Sequence, residues 1–482
     1  MKTRSILLLL FLPSFIFAQN VNRPGYSVAE LKNDFKIFRS ALEEGHPGIY
    51  RYNSKVTMNS IFEAAEMSIT RPMGESEYQI LLSKVTTQIG CGHLAVIAPK
   101  IDQDKFDKEP TAIPFQPYYS GGKLFVLTNF SAIADKGFVG ARIVSVNGHL
   151  THAMLKDMFA IMSADGNNKT YKYRNLTYSK YFTRYFYYLY GDTNSYTVEY
   201  ISGAGTSVKK TKLAGLPFSE LNAIRDKKYP QHFLSDPLEF KLEDDKKTAY
   251  LKIESFDEDV LEQKKIDFSK FLQSAFNRID SNKIKNLIID LRNNHGGTDE
   301  FGKLLFSYLM AHDFDYYSSL TIKTDSFGFF KYTTMRSPKV PKGMLKANAA
   351  GTFDVIRHPN VGKQKPLLPT YSGKIYVLIN GGCFSTASEC ISMIHSNTNA
   401  VFIGEESGGG YYGNNSGMVP EMTLPNTKIR IAIPLMKYVM AVKDYQFKDR
   451  GLIPNYEVIP KIADKLNGND PELEFAKKLI SK

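Results

Sequence analysis

Three stretches of the chain place a reactive side chain beside small, turn-forming residues. Asn380-Gly-Gly-Cys-Phe-Ser-Thr-Ala-Ser-Glu389 follows the apolar run Lys374–Ile379 and leads into a segment whose Ala387, Cys390, Ile391 and Ile394 share one helical face. A strand, a glycine turn and a serine at a helix start lift a hydroxyl, here Ser385, out of a sheet. The first helical N–H groups then point at negative charge developing beside it. The competing reading is a helix cap at Ser385 or Thr386, and this stretch taken alone favours the cap. The second stretch, Asn286-Leu-Ile-Ile-Asp-Leu-Arg-Asn-Asn-His-Gly-Gly297, runs an apolar strand into a glycine pair. Gly296 and Gly297 let backbone N–H groups approach a ligand with no Cβ in the way, which suits half of an oxyanion hole and equally suits an ordinary strand-to-helix turn. The third, Ile89-Gly-Cys-Gly-His-Leu-Ala-Val-Ile97, sets His93 between a glycine and an apolar strand, as one of nine histidines.

These residues need a scaffold, and the pattern of the chain supplies one. From residue 236 strand-like and helix-like segments alternate: Thr248–Ile253, then Phe268–Ile279, then the Leu287–Leu291 strand and the helix after it. Alternation of this kind predicts a mixed α/β core. Residues 27–87 carry helical spacing instead, with Leu31, Phe35, Phe38 and Leu42 in one segment, and predict a small helical region. Strand-like runs dominate the middle of the chain, at Lys123–Thr128, Ala141–Val146 and Ser195–Ile201, with a turn signal at Asn147-Gly148. The aromatic run Tyr181–Tyr190 reads as a packing helix or as the lining of a groove. Residues 321–370, rich in Lys, Pro and Gly, show no periodicity and read as a long insertion near the site.

Taken together and in this order, the motifs resemble the C-terminal processing (tail-specific) serine protease family, in particular its bacterial tricorn-like branch. Glu43-Glu-Gly-His-Pro-Gly-Ile-Tyr50 is similar to a His-Pro turn of that branch. Gly92-His-Leu resembles the segment that supplies its histidine, and Gly140–Gly148 resembles the signature of its PDZ-like domain. Asp290–Gly297 resembles its oxyanion loop, Phe384–Glu389 its nucleophile segment, Ile403–Gly409 the loop that follows, and Asp449–Val458 the closing stretch. The resemblance implies a ClpP/crotonase-like β-superhelical core over 236–465, a helical region over 19–100 ending in the His93 strand, and a PDZ-like domain over 110–205. It also implies Ser385 as nucleophile, His93 as general base, and Gly296, Gly297 and Thr386 as oxyanion donors, with peptides or unfolded chains as substrates. Where the processing proteases carry a basic lysine this chain has Gly410, which leaves histidine as the base. Cys91 stands where the branch usually has aspartate, and His295 where it more often has proline or glycine. Glu405, Glu406 and Asp449 are the candidates for orienting His93. A catalytically silent binding module and a non-peptide acyl hydrolase are the alternatives.

Composition sets the remaining bounds. With 482 residues, 43% of them apolar, the chain is long enough for two to four domains. Its formal charge of +12 falls to 12 − 2 = +10 without Lys2 and Arg4, and the basic residues are scattered as Lys pairs rather than gathered into a nucleic-acid footprint. Residues 1–18, with a basic start, a short apolar run broken by Pro13 and Ala18 before Gln19, predict a secretory signal peptide and a periplasmic or extracellular destination. Three cysteines are too few for a disulfide framework. A Cys91–Cys383 bridge is conceivable if both flank one site, although small packing residues explain them more simply. Metal-ligand spacing is missing from the sequence, so no metal and no cofactor are expected. The oligomeric state is left open.

Overall fold

The computed structural model describes residues 25–109, 111–132, 137–191, 193–203, 205–229, 236–335 and 343–482. The leader predicted over 1–18 lies outside them. At the centre is a six-stranded sheet in the spatial order Tyr456–Glu457, Val401–Gly404, Lys374–Ile379, Asn286–Asp290, Thr248–Ile253 and Leu238–Leu242. All pairings are parallel except the last, at the sheet edge. The unbroken apolar character of Leu287–Ile289 follows from burial on both faces. Leu287 and Ile289 face the main core with Leu251 and Val377, whereas Ile288 and Leu378 face a second cluster beneath the helix Pro471–Ile480. The helix Phe268–Ser281 makes the crossover between two of the parallel strands, and it buries Phe268, Leu272, Ala275, Phe276 and Ile279 along one stripe.

The helices Val28–Gly45, Lys55–Met67 and Glu75–Ile89 form the helical region. Ser27 and Glu30 close a capping box at its start. Leu31, Phe35, Phe38 and Leu42 are fully buried, and they belong to the same core as the central sheet rather than to one of their own. Residues 115–214 do have their own core. There the strands Phe115–Ser120, Lys123–Asn129, Arg142–Val146, Ser195–Ile201 and Lys209–Ala214 form an antiparallel sheet in chain order. Asn147 and Gly148, at φ 48° and 82°, make the turn their sequence suggests. The helix Ser179–Tyr190 buries Phe182 and Phe186 against this sheet.

The segment read as a long loop is more ordered than its composition suggests. Leu345–Ala347 and Phe353–Val355 form a hairpin that extends a five-stranded sheet containing Tyr317–Ile322, Met436–Met440 and Asn415–Ser416. Its strands are two to six residues long, and its central pairing, Tyr317–Ile322 with Met436–Met440, spans more than a hundred residues, so no local periodicity betrays them.

Candidate active site

The glycine turn after Lys374–Ile379 delivers Ser385 to the first position of the buried helix Thr386–Asn397. Ser385 has φ 53° and ψ −129°, a backbone conformation that a side chain rarely adopts. A non-glycine residue held there stores roughly 1–3 kcal/mol of strain and persists only where the surroundings impose it. The hydroxyl does not cap the helix. It lies 3.1 Å from His93 Nε2. The neighbouring hydroxyls are otherwise engaged: Thr386 donates to Gly297 O at 2.9 Å, and Ser388 donates to Cys383 O at 2.7 Å. Geometry therefore separates Ser385 from the cap reading and from its neighbours.

His93 reaches the site because the helix Glu75–Ile89 stops at Gly90, which takes the left-handed conformation at φ 69°. The strand Ala95–Ile97 then pairs with Arg430–Ala432 and fixes the loop between them. The imidazole stacks on Phe384 at 4.6 Å between centroids, and Phe384 stacks in turn on Tyr171 at 4.3 Å. Gly92 leaves room for this ring, since a Cβ there would come within 2.6 Å of it. Burial lowers the His93 pKa below its ordinary value, against the opposing pull of Asp165 and Asp299. His93 Nδ1 is buried and has no hydrogen-bond partner.

The three candidate carboxylates for orienting His93 are engaged with other partners. Glu405 is paired with Arg174 at 2.8 Å, Glu406 is paired with Arg450, and Asp449 accepts from Asn167 at 2.5 Å. Asp165, which the sequence reading missed, is the carboxylate beside the histidine loop. It is buried, and it accepts from the N–H of Gly92 at 2.8 Å and of Gly410 at 3.1 Å. Its only local signal was the turn chemistry of Asp165-Gly166. Gly410, where a lysine base would stand, also lies within reach of Tyr52 and Gly413, so the space there is filled. Cys91, His93 and Asp165 each offer a ligand-type atom, and these three atoms lie within 4.8 Å of one another. Cys91, Cys383 and Cys390 are all free thiols.

The glycine loop is held by charge. Arg292 bonds Asp290 at 2.6 Å, Asp470 at 2.7 Å and Glu472 at 2.7 Å, while Tyr250 donates to Asp290 at 2.8 Å. The two glycines then divide. The Gly296 N–H donates to Asn294 Oδ1 at 2.9 Å, whereas Gly297 lines a cleft of about 790 Å³ together with Ser385 and His93. Tyr171, Tyr178 and Tyr181 form an aromatic wall of this cleft, and Tyr178 OH lies 3.1 Å from His295 Nε2. Among the described residues, nothing between 321 and 370 lines it. On the buried face of the helix Thr386–Asn397, burial and the nearby Asp299 push the Glu389 pKa up to about 8.

Comparison with known proteins places this geometry. Residues 247–458 match the family model described as peptidase family S41. No curated protein sequence matches the chain. Among solved structures, mature CPAF complexed with lactacystin is similar at a TM-score of 0.62 and 14% identity, covering 94% of this chain and 97% of that one. Mature CPAF alone gives the same TM-score at 16% identity, with the same coverage. At these identities the likeness is one of fold. The photosystem II D1 C-terminal processing protease is also matched, at a TM-score of 0.44 and 14% identity, over 91% of this chain and 96% of that one. A strand-turn-helix serine, a glycine loop beside it and the family match lead to one conclusion: residues 247–458 form a domain of peptidase family S41, the tail-specific protease family, with a serine-peptidase fold.

Proposed function

We propose that this protein is an exported serine peptidase of the branch that uses a Ser–His pair, cleaving peptide bonds through a Ser385 acyl-enzyme. The observation that carries the reading is the 3.1 Å contact between Ser385 Oγ and His93 Nε2 on a strained turn. His93 takes the hydroxyl proton as Oγ attacks the carbonyl, and returns it to the leaving amine. Water then attacks the acyl-enzyme with the same histidine as base. The oxyanion faces the amides of Gly297 and Thr386, the latter an N–H of the first helical turn that has no partner within the helix. Losing one such donor costs about 2.7–4 kcal/mol of transition-state stabilisation. The neutral imidazole that this chemistry requires is favoured by the lowered His93 pKa.

The aromatic wall of Tyr171, Tyr178 and Tyr181 suits an extended peptide or unfolded chain with apolar side chains. The antiparallel sheet over 115–214 is the candidate PDZ-like element for holding such a chain by strand addition. Export rests on the signal-like Met1–Ala18. No helix among the described residues is long and apolar enough to cross a membrane.

Hydrolysis of a fluorogenic peptide library by the mature protein tests the reading. Ser385→Ala and His93→Ala should each lower kcat by roughly 10⁴-fold or more while leaving the melting temperature near that of the parent. Retention of most of the activity by either variant would remove that residue from the mechanism.

A further inference from the structure

We propose that Cys91, His93 and Asp165 form an inhibitory site for a divalent, thiophilic cation of the zinc class, and that its occupation switches off the Ser385–His93 pair. The three donor atoms lie no more than 4.8 Å apart. Three points so spaced fit on a circle of radius 4.8/√3, about 2.8 Å, so each donor closes by less than about 1 Å to reach usual zinc-ligand distances. His93 offers one ring nitrogen to the cluster, and Nδ1, the nitrogen not engaged with Ser385, is buried and makes no hydrogen bond. Another donor is pre-oriented, with the Asp165 oxygens held by the N–H groups of Gly92 and Gly410. The Cys91 thiol donates to Asn415 O at 3.5 Å.

Ligand chemistry selects the cation. A thiolate and an imidazole favour zinc-like ions over magnesium or calcium, which take oxygen ligands. One thiolate and one carboxylate sum to −2, so a divalent ion leaves this buried cluster neutral. On binding, a metal–sulfur bond forms as the Cys91 S–H bond breaks, and the proton leaves to solvent. A neutral imidazole coordinated through Nδ1 carries its proton on Nε2. That nitrogen then donates toward Ser385 and cannot accept its proton, so the base is disabled without displacing it. His93 lines the cleft, which gives the ion its way in.

The inhibitory half of this inference rests on the Ser385–His93 reading, and the binding half stands apart from it. Cobalt(II) titration of the metal-free full-length mature protein reads binding alone. A thiolate-to-cobalt charge-transfer band in the near ultraviolet should appear in the parent and in Ser385→Ala, and be absent from Cys91→Ala. Asp165→Asn should weaken cobalt binding at least about tenfold, and it serves where Cys91→Ala does not fold. Zinc should inhibit peptide hydrolysis reversibly, with a chelator restoring it. Cys91→Ala should keep the metal-free activity and lose zinc sensitivity about tenfold or more. No thiolate band in the parent would overturn the site. Equal zinc sensitivity in the parent and Cys91→Ala, or activation by zinc, would overturn the inhibitory role. A band in a protein that hydrolyses no peptide would sustain the site and reject the peptidase reading instead.

Discussion

At the scale of single residues, the site depends on a histidine that stays neutral. Burial lowers the His93 pKa, and the negative charges of Asp165 and Asp299 partly offset that effect. A general base with a lowered pKa remains competent to a lower pH, so the acid limb of kcat/KM should fall below the ordinary histidine value of about 6.5. Asp165→Asn removes an influence that raises this pKa, and the limb should therefore shift further toward acid. A shift toward higher pH in a pH–rate profile would contradict the assignment of His93 as the base. Ser385, His93 and the glycine pair were singled out by the likeness of their segments to the tail-specific protease motifs, since the residues alone favoured a helix cap at Ser385 and left His93 one of nine histidines. Asp165 was not: it acts through the N–H groups of residues 73 and 245 positions away, and only folding brings them together.

At the scale of elements, the glycine loop beside Ser385 is only as firm as the ions that hold it. The Arg292 side chain is 11% exposed and serves Asp290 and Glu472, which are 3% and 2% exposed. Removing one partner of a buried ion cluster leaves uncompensated charge and typically costs about 3–5 kcal/mol. Arg292→Met should therefore lower the unfolding free energy measured by urea titration by an amount of that order. At temperatures where it stays folded, it should depress kcat more than it raises KM. A variant as stable and as active as the parent would refute the clamp. The strands that carry the loop were readable from unbroken apolar runs, as sheets buried on both faces require. The hairpin over Leu345–Val355 was not, because three-residue strands carry too little pattern.

At the scale of the whole molecule, the strand-rich part is joined to the peptidase core next to the active site. Arg174, on a helix of the former, pairs at 2.8 Å with Glu405, which follows a core strand, and both are about nine-tenths buried. Asn168 reinforces the junction by donating to Ser407 O at 2.7 Å. Arg174→Met should destabilise the protein by about 3–5 kcal/mol, since Glu405 would be left buried without its cation. Adding Glu405→Gln should recover part of that loss, giving a coupling energy in the range of about 0.5–3 kcal/mol. Strict additivity of the two substitutions in denaturant titrations would show that the pair does not join the two parts. The mixed α/β core and the strand-rich middle segment followed from pattern shifts along the chain. That the N-terminal helices would share the core of the central sheet could not be read, because helical periodicity says which face is buried but not against what.

The most direct test of the central claim, that Ser385 is a nucleophile activated by His93, is labelling of the mature protein with a fluorophosphonate probe followed by mapping of the adduct. A single adduct on Ser385, formed by the parent and lost in His93→Ala, is the expected result. A folded protein that never labels, or an adduct that forms equally well without His93, would contradict it.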